Sequence, residues 1–125
     1  MTPHLADTPV LQTERLTLRA PAMRDWAART PRARSEVLRK AWELMSARLE
    51  DFAHLITLEN GKARGDAMGE AAYAAEFFRW FAEEAVRADG MITHAPASDA
   101  RIVVQPKPAG LAVLVTPGNY PAAMG

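Results

Sequence analysis

Cysteine is missing from all 125 residues. Disulfides, thiolate metal sites and a cysteine nucleophile within this chain are therefore excluded. Histidine is scarce, and His4, His54 and His94 share no helical or hairpin spacing of the kind a metal site uses. Each reads as solvated or structural, His54 on a helix face and His94 in a loop, so no metal is expected. An excess of charge of one sign is also lacking, because fifteen basic and fifteen acidic side chains cancel. No broad field then favours DNA, RNA or an anionic membrane surface. No apolar run approaches the roughly 20 residues that a membrane-crossing helix needs. The opening MTPHLADTPV has neither the basic start nor the apolar stretch of a secretory leader. The expectation is a soluble, cytoplasmic protein with no nucleic-acid or membrane partner. Gly-x-Gly-x-x-Gly does not occur, so a complete dinucleotide fingerprint is absent.

What is present is an ordinary globular balance, 49% hydrophobic and 24% charged, which places the chain among folded rather than disordered sequences. From Val10 to Arg19 the residues alternate, with Leu16 and Leu18 on one face and Thr17 and Arg19 on the other. This reads as a half-buried strand that ends at Ala20-Pro21. From Thr30 the period becomes helical. Thr30 serves as N-cap with Pro31 at the first helical position, where its missing N–H costs nothing. Val37, Leu38, Ala41, Leu44 and Met45 then form an apolar stripe.

A second helix spans Leu49 to Leu58, with Phe52, Leu55 and Ile56 inward, and Glu59-Asn60-Gly61 supplies a left-handed stop. The third and longest, about Asp66 to Ala88, carries Ala71, Ala74, Ala75, Phe78, Phe81, Ala82 and Ala85 on one stripe. Tyr73, Phe77 and Trp80 widen it, and Gly90 closes it. A face so wide expects cover on more than one side. After a loop containing Pro96 and Ser98 the period returns to strand, first Arg101 to Lys107 and then Leu111 to Val115. The second run is apolar on both faces, as in a helix-covered parallel sheet.

Several constellations have bland readings. Glu76, Glu83 and Glu84 lie among Arg79 and Arg87 at helical spacings and read as an ion-paired, solvated face. The aromatic patch of Phe77, Phe78, Trp80 and Phe81 reads as packing surface, having no basic groove beside it. GKARG, Gly61 to Gly65, has the wrong spacing for a phosphate loop and follows a helix, so it reads as a helix–helix turn. TPGNYP is different. A strand emptying into Pro-x-Asn-x-Pro at its carboxyl end brings a polar side chain to the crevice where open α/β sheets bind ligands. Asn119 offers an uncharged amide donor suited to an oxyanion; alternatively it caps a turn between two prolines.

PRARSEVLRKAWELM, LITLENGK, EAAYAAEFFRWFAEEAVRADG and VLVTPGNYPAAM, in that order, resemble the aldehyde dehydrogenase superfamily and, within it, the succinate-semialdehyde dehydrogenases. The resemblance covers about residues 26–124. It implies an α/β fold of which this chain supplies a part: the N-terminal helices, an extension strand near Arg101 to Lys107, and Leu111 to Val115 as the first strand of an incomplete Rossmann-like cofactor domain. The reaction it implies is aldehyde oxidation to a carboxylic acid by thiolate attack, hydride transfer to NAD or NADP, and hydrolysis by a glutamate-activated water. Asn119 matches the asparagine that donates to the oxyanion. Val115, Thr116, Pro117 and Gly118 match the residues beside the cofactor. The family's motif usually reads Thr-Pro-Trp-Asn-Phe-Pro, so Gly118 stands in place of tryptophan and Tyr120 in place of phenylalanine. The nucleophilic cysteine and the general-base glutamate have no counterpart here, which implies a fragment inactive alone.

Residues 1–25 read as an appended leader, joined within Met23 to Arg29 to the dehydrogenase-like part, residues 26–125. Over about residues 8–25 this leader resembles the opening strand of a GNAT-type N-acetyltransferase. Two other readings stay open: a non-catalytic helical interaction module, and an acetyltransferase remnant. Partners implied are a small-molecule aldehyde and, for the exposed apolar surfaces, a second copy or a complementing fragment.

Overall fold

The computed structural model describes residues 11–12, 17–18, 21–110 and 112–125. Their element order is β1 (Leu11–Gln12), β2 (Thr17–Leu18), α1 (Pro21–Ala28), α2 (Pro31–Ser46), α3 (Leu49–Asn60), α4 (Arg64–Glu84), β3 (Met91–His94) and β4 (Arg101–Val104). The partial α/β character expected from the sequence is present, and helices dominate it.

Helix α2 begins as the sequence predicts. The Thr30 side chain accepts a hydrogen bond from the Ala33 amide at 3.2 Å, with Pro31 in the first turn. This satisfies one of the free N–H groups at the helix start. Helix α3 ends at Gly61, which adopts φ 74° and returns its amide to the Thr57 carbonyl. Helix α4 packs against both α2 and α3. The central cluster is Ala53, Ile56, Ala67 and Ala71, with Leu49, Phe52 and Met68 packed around it. Alanines let the helix backbones approach closely, and Ile56, only 5% exposed, contributes about 1.5–3 kcal/mol by burial. The expected surface ion pairs also form, Arg79 with Glu76 and Arg87 with Glu83 and Glu84.

Several expectations need correction. Of the run read as a strand over Leu111 to Val115, residues 112–115 are not a strand: they have no ladder partner among the described residues and are exposed, and Leu111 lies outside those residues. A strand forms only where a neighbour takes its backbone N–H and C=O groups. The strand read over Arg101 to Lys107 is confined to Arg101–Val104. It pairs antiparallel with Met91–His94, in register Met91↔Val104 and His94↔Arg101. His94 therefore sits in a strand rather than a loop. This hairpin is exposed on both faces.

Helix α4 stops at Glu84, and Leu55, Phe78 and Phe81, expected inward, are 51%, 37% and 55% exposed. The periodicity located the stripe correctly. Only its alanine half finds a covering helix.

Within residues 1–25, read as a leader, Leu11↔Leu18 and Gln12↔Thr17 pair antiparallel, so the single strand read over Val10 to Arg19 contains two short ones. Helix α1 was not foreseen and occupies the stretch read as the join. The rest of the leader reading, including its likeness to an acetyltransferase strand and His4, lies outside the described residues. No helix among the described residues is long and apolar enough to cross a membrane.

Candidate functional site

The segment Thr116 to Ala123 folds back onto the junction of α3 and α4. Two internal hydrogen bonds shape it. The Tyr120 amide donates to the Pro117 carbonyl at 3.0 Å, closing a turn with Gly118 and Asn119 at its centre. The Thr116 hydroxyl donates to the Pro121 carbonyl at 3.2 Å, drawing the ends of the segment together. Prolines at 117 and 121 restrict the backbone on both sides.

Three side chains from the helical pack grip this segment. Asn60, the last residue of α3, donates its carboxamide N–H to the Gly118 carbonyl at 2.9 Å, while its oxygen accepts from the Lys62 amide at 2.8 Å. The Lys62 ammonium donates to the Asn119 carbonyl and to Glu70 Oε2. The other oxygen of Glu70 accepts from the Ala122 and Ala123 amides, at 2.8 and 3.3 Å. Ala123 is buried at 2% exposure, a small apolar anchor beside the carboxylate.

Glu70 itself is 3% exposed. Burial pushes its carboxyl up, but the Lys62 hydrogen bond, the two backbone N–H donors and the charge of Lys62 together outweigh this. The net effect holds it below the ordinary carboxylate value.

All the grips reach the loop backbone and none reaches the Asn119 side chain. Asn119 is exposed and lines two clefts. One, of about 480 Å³, has Asp66, Glu70, Tyr73 and Tyr120 on its walls, with Gly65 and Gly69 of α4 adding no side chains. The other, of about 390 Å³, lies toward Asn60, Gly61 and Gly118. An uncharged N–H donor thus stands at a polar, open surface on a fixed backbone, an arrangement that can stabilise negative charge developing on an oxygen.

The predicted site residues Val115, Thr116, Pro117, Gly118 and Asn119 are brought together as consecutive positions on one loop. Val115, Pro117 and Gly118 are exposed and Thr116 is half-buried, its hydroxyl committed to Pro121. His54 and His94 are exposed and are not among the residues that hold the loop. Among the described residues no group of three or more His, Asp or Glu side chains gathers as metal ligands would.

Sequence reasoning missed Asn60, Lys62 and Glu70, having taken GKARG only as a turn. One signal was available. Glu70 falls on the same face of α4 as Ala67, Ala71 and Ala74, and a lone carboxylate on an alanine face requires a buried partner.

A family model described as the aldehyde dehydrogenase family matches residues 13–125. A succinate-semialdehyde dehydrogenase from Paenarthrobacter nicotinovorans is 52% identical over 103 residues, which are 82% of this chain and 23% of that protein. An aldehyde dehydrogenase structure from Brucella melitensis biovar abortus 2308 superposes with a TM-score of 0.76 at 43% identity, covering 83% of this chain and 22% of that one. An E. coli NADP-dependent enzyme gives a TM-score of 0.75 at 41% identity over the same shares of the two chains. The chain therefore spans less than a quarter of the length of these relatives. The comparisons give no support to the acetyltransferase or interaction-module readings.

Proposed function

The chain belongs to the aldehyde dehydrogenase family, and on that premise we propose that its TPGNYP loop is the oxyanion-binding part of an enzyme oxidising a semialdehyde, of the succinate-semialdehyde kind, to the corresponding acid. The observation that carries this is the exposed Asn119 carboxamide on a backbone fixed at residues 118, 119, 122 and 123. When a thiolate adds to an aldehyde, the carbonyl oxygen gains a full negative charge. A donor already aimed at that oxygen lowers the barrier without reorganising, because its backbone is set before the substrate arrives.

These 125 residues contain no cysteine, so in this reading the thiolate comes from residues outside them. Alone, the chain holds the donor without the nucleophile and does not turn over.

The residues before Asn119 fit one flank of a nicotinamide dinucleotide. Val115 and Pro117 expose apolar surface, and a Cβ added at Gly118 would meet nothing within 4 Å. Val115, Thr116, Pro117 and Gly118 would hold NAD or NADP there; when bound, it supplies the hydride acceptor. Exposed Val113, Leu114 and Val115 form the surface on which a complementing polypeptide or a second copy would sit.

The test is an in-frame fusion of residues 26–124 to the remaining part of a related succinate-semialdehyde dehydrogenase, assayed by the absorbance of reduced nicotinamide with succinate semialdehyde. The fusion is expected to be active, and Asn119→Ala to lower kcat by about a hundred- to a thousandfold. An active fusion indifferent to Asn119→Ala would make the asparagine a turn residue only.

A further inference from the structure

The ion pair between Lys62 and Glu70 is far from ordinary for this chain. The other ion pairs among the described residues have side chains between 35% and 66% exposed. Those of Lys62 and Glu70 are 15% and 1% exposed. A buried ion pair is often no more stabilising than an apolar pair of the same volume, so stability alone does not account for it.

Its connections account for it better. Both oxygens of Glu70 are committed, one to Lys62 and the other to the Ala122 and Ala123 amides. The same ammonium holds the Asn119 carbonyl. The pair thus ties down the loop at Asn119 itself and three to four residues beyond, while Asn60 holds the residue before. Gly118 has open space where a side chain would lean, so side-chain packing at that position contributes nothing to aiming its neighbour. The grip on the backbone supplies the aim instead.

We propose that Lys62 and Glu70 are positioning residues for Asn119: their pair fixes the loop backbone so that the Asn119 carboxamide is presented to the clefts it lines. This rests on the reading of Asn119 as an oxyanion donor. Neither residue touches the reacting atoms; each acts through the asparagine.

Two measurements test it. In the active fusion, Glu70→Gln and Lys62→Met are expected to lower kcat by about ten- to a hundredfold, with KM little changed. Lys62→Arg, which keeps the charge, is expected to recover much of the loss, and Glu76→Gln at an exposed carboxylate of the same helix sets the baseline. In an Asn119→Ala background, Glu70→Gln is expected to change kcat by less than about twofold, because the group it positions is gone. An equal loss in both backgrounds would place the effect of Glu70 elsewhere and overturn the proposal. A silent Glu70→Gln beside a costly Asn119→Ala would overturn the positioning role and leave the donor reading intact. A silent Asn119→Ala would remove the donor reading first, and the positioning role with it.

The second measurement uses the 125-residue chain and needs no activity. Amide hydrogen exchange at Ala122 and Ala123 is expected to rise about tenfold or more in Glu70→Gln, with the helix amides of Ala71 and Ala74 unchanged. Unchanged exchange at Ala122 and Ala123, or a rise shared by the whole helix, would count against a pair that serves the loop.

Discussion

The ammonium of Lys62 lies 4.0 Å from the centre of the Tyr120 ring, while the same group holds Glu70 and the Asn119 carbonyl. A single cation thus touches an aromatic face, a buried carboxylate and the backbone of the candidate donor. With only 15% of its side chain exposed, its attraction to the ring is worth about 1–2 kcal/mol.

Tyr120→Leu is expected to weaken the docked loop by about 1 kcal/mol, whereas Tyr120→Phe keeps the ring and changes little. Amide exchange of Ala123 in the three proteins measures this. Equal losses in Leu and Phe would assign the effect to the phenol hydroxyl instead.

Glu70 is expected to make the loop sensitive to acid. Its carboxyl is held below the ordinary carboxylate value in the folded chain, so the unfolded chain binds the proton more readily. Its contribution is fully present above the ordinary glutamate value of about 4.3 and is lost as pH falls below it, through the folded value. Chemical denaturation at a series of acid pH values should show the gap between wild type and Glu70→Gln narrowing as pH drops. A gap independent of pH would show that Glu70 does not titrate with folding.

Two glycines separate backbone conformation from space. Neither Gly61 nor Gly118 has an atom within 4 Å of where a Cβ would stand, but only Gly61 has a positive φ. Gly61→Ala is expected to cost about 1–2 kcal/mol through the left-handed conformation alone. Gly118→Trp is expected to leave the melting temperature unchanged and, in the active fusion, to raise kcat. Loss of folded protein with tryptophan at 118 would contradict the open space there.

The helices were legible in the sequence because their signals are local. Thr30-Pro31 marks a start, Asn60-Gly61 marks a stop, and the alanine stripe of α4 marks a buried face. The turn that carries Asn119 was legible because Pro117 and Pro121 flank it. The β3 strand was not, since Met91 to His94 carries no alternation strong enough to distinguish it from a loop; it is defined by pairing with Arg101 to Val104. Residues 112–115 failed in the opposite sense, having strand composition without a ladder partner among the described residues. The Lys62–Glu70 grip joins residues whose partners lie more than fifty positions away, a relationship that no local window contains. Only the misplaced carboxylate on the α4 alanine face hinted at it.

The reach of that grip bears on the order of folding. Helices α2, α3 and α4 follow one another through connections of two or three residues, so they meet across short loops. The hydrogen bonds from Asn60, Lys62 and Glu70 to the loop span 52 to 58 positions, and the entropy lost in closing a loop grows with its length. Docking of Thr116 to Ala123 is therefore expected to come late, onto a helical pack that already stands. Being small and held by a few polar contacts, it is also expected to detach before the helices do. Circular dichroism can then report a fully helical chain in which Asn119 has not yet been set in place.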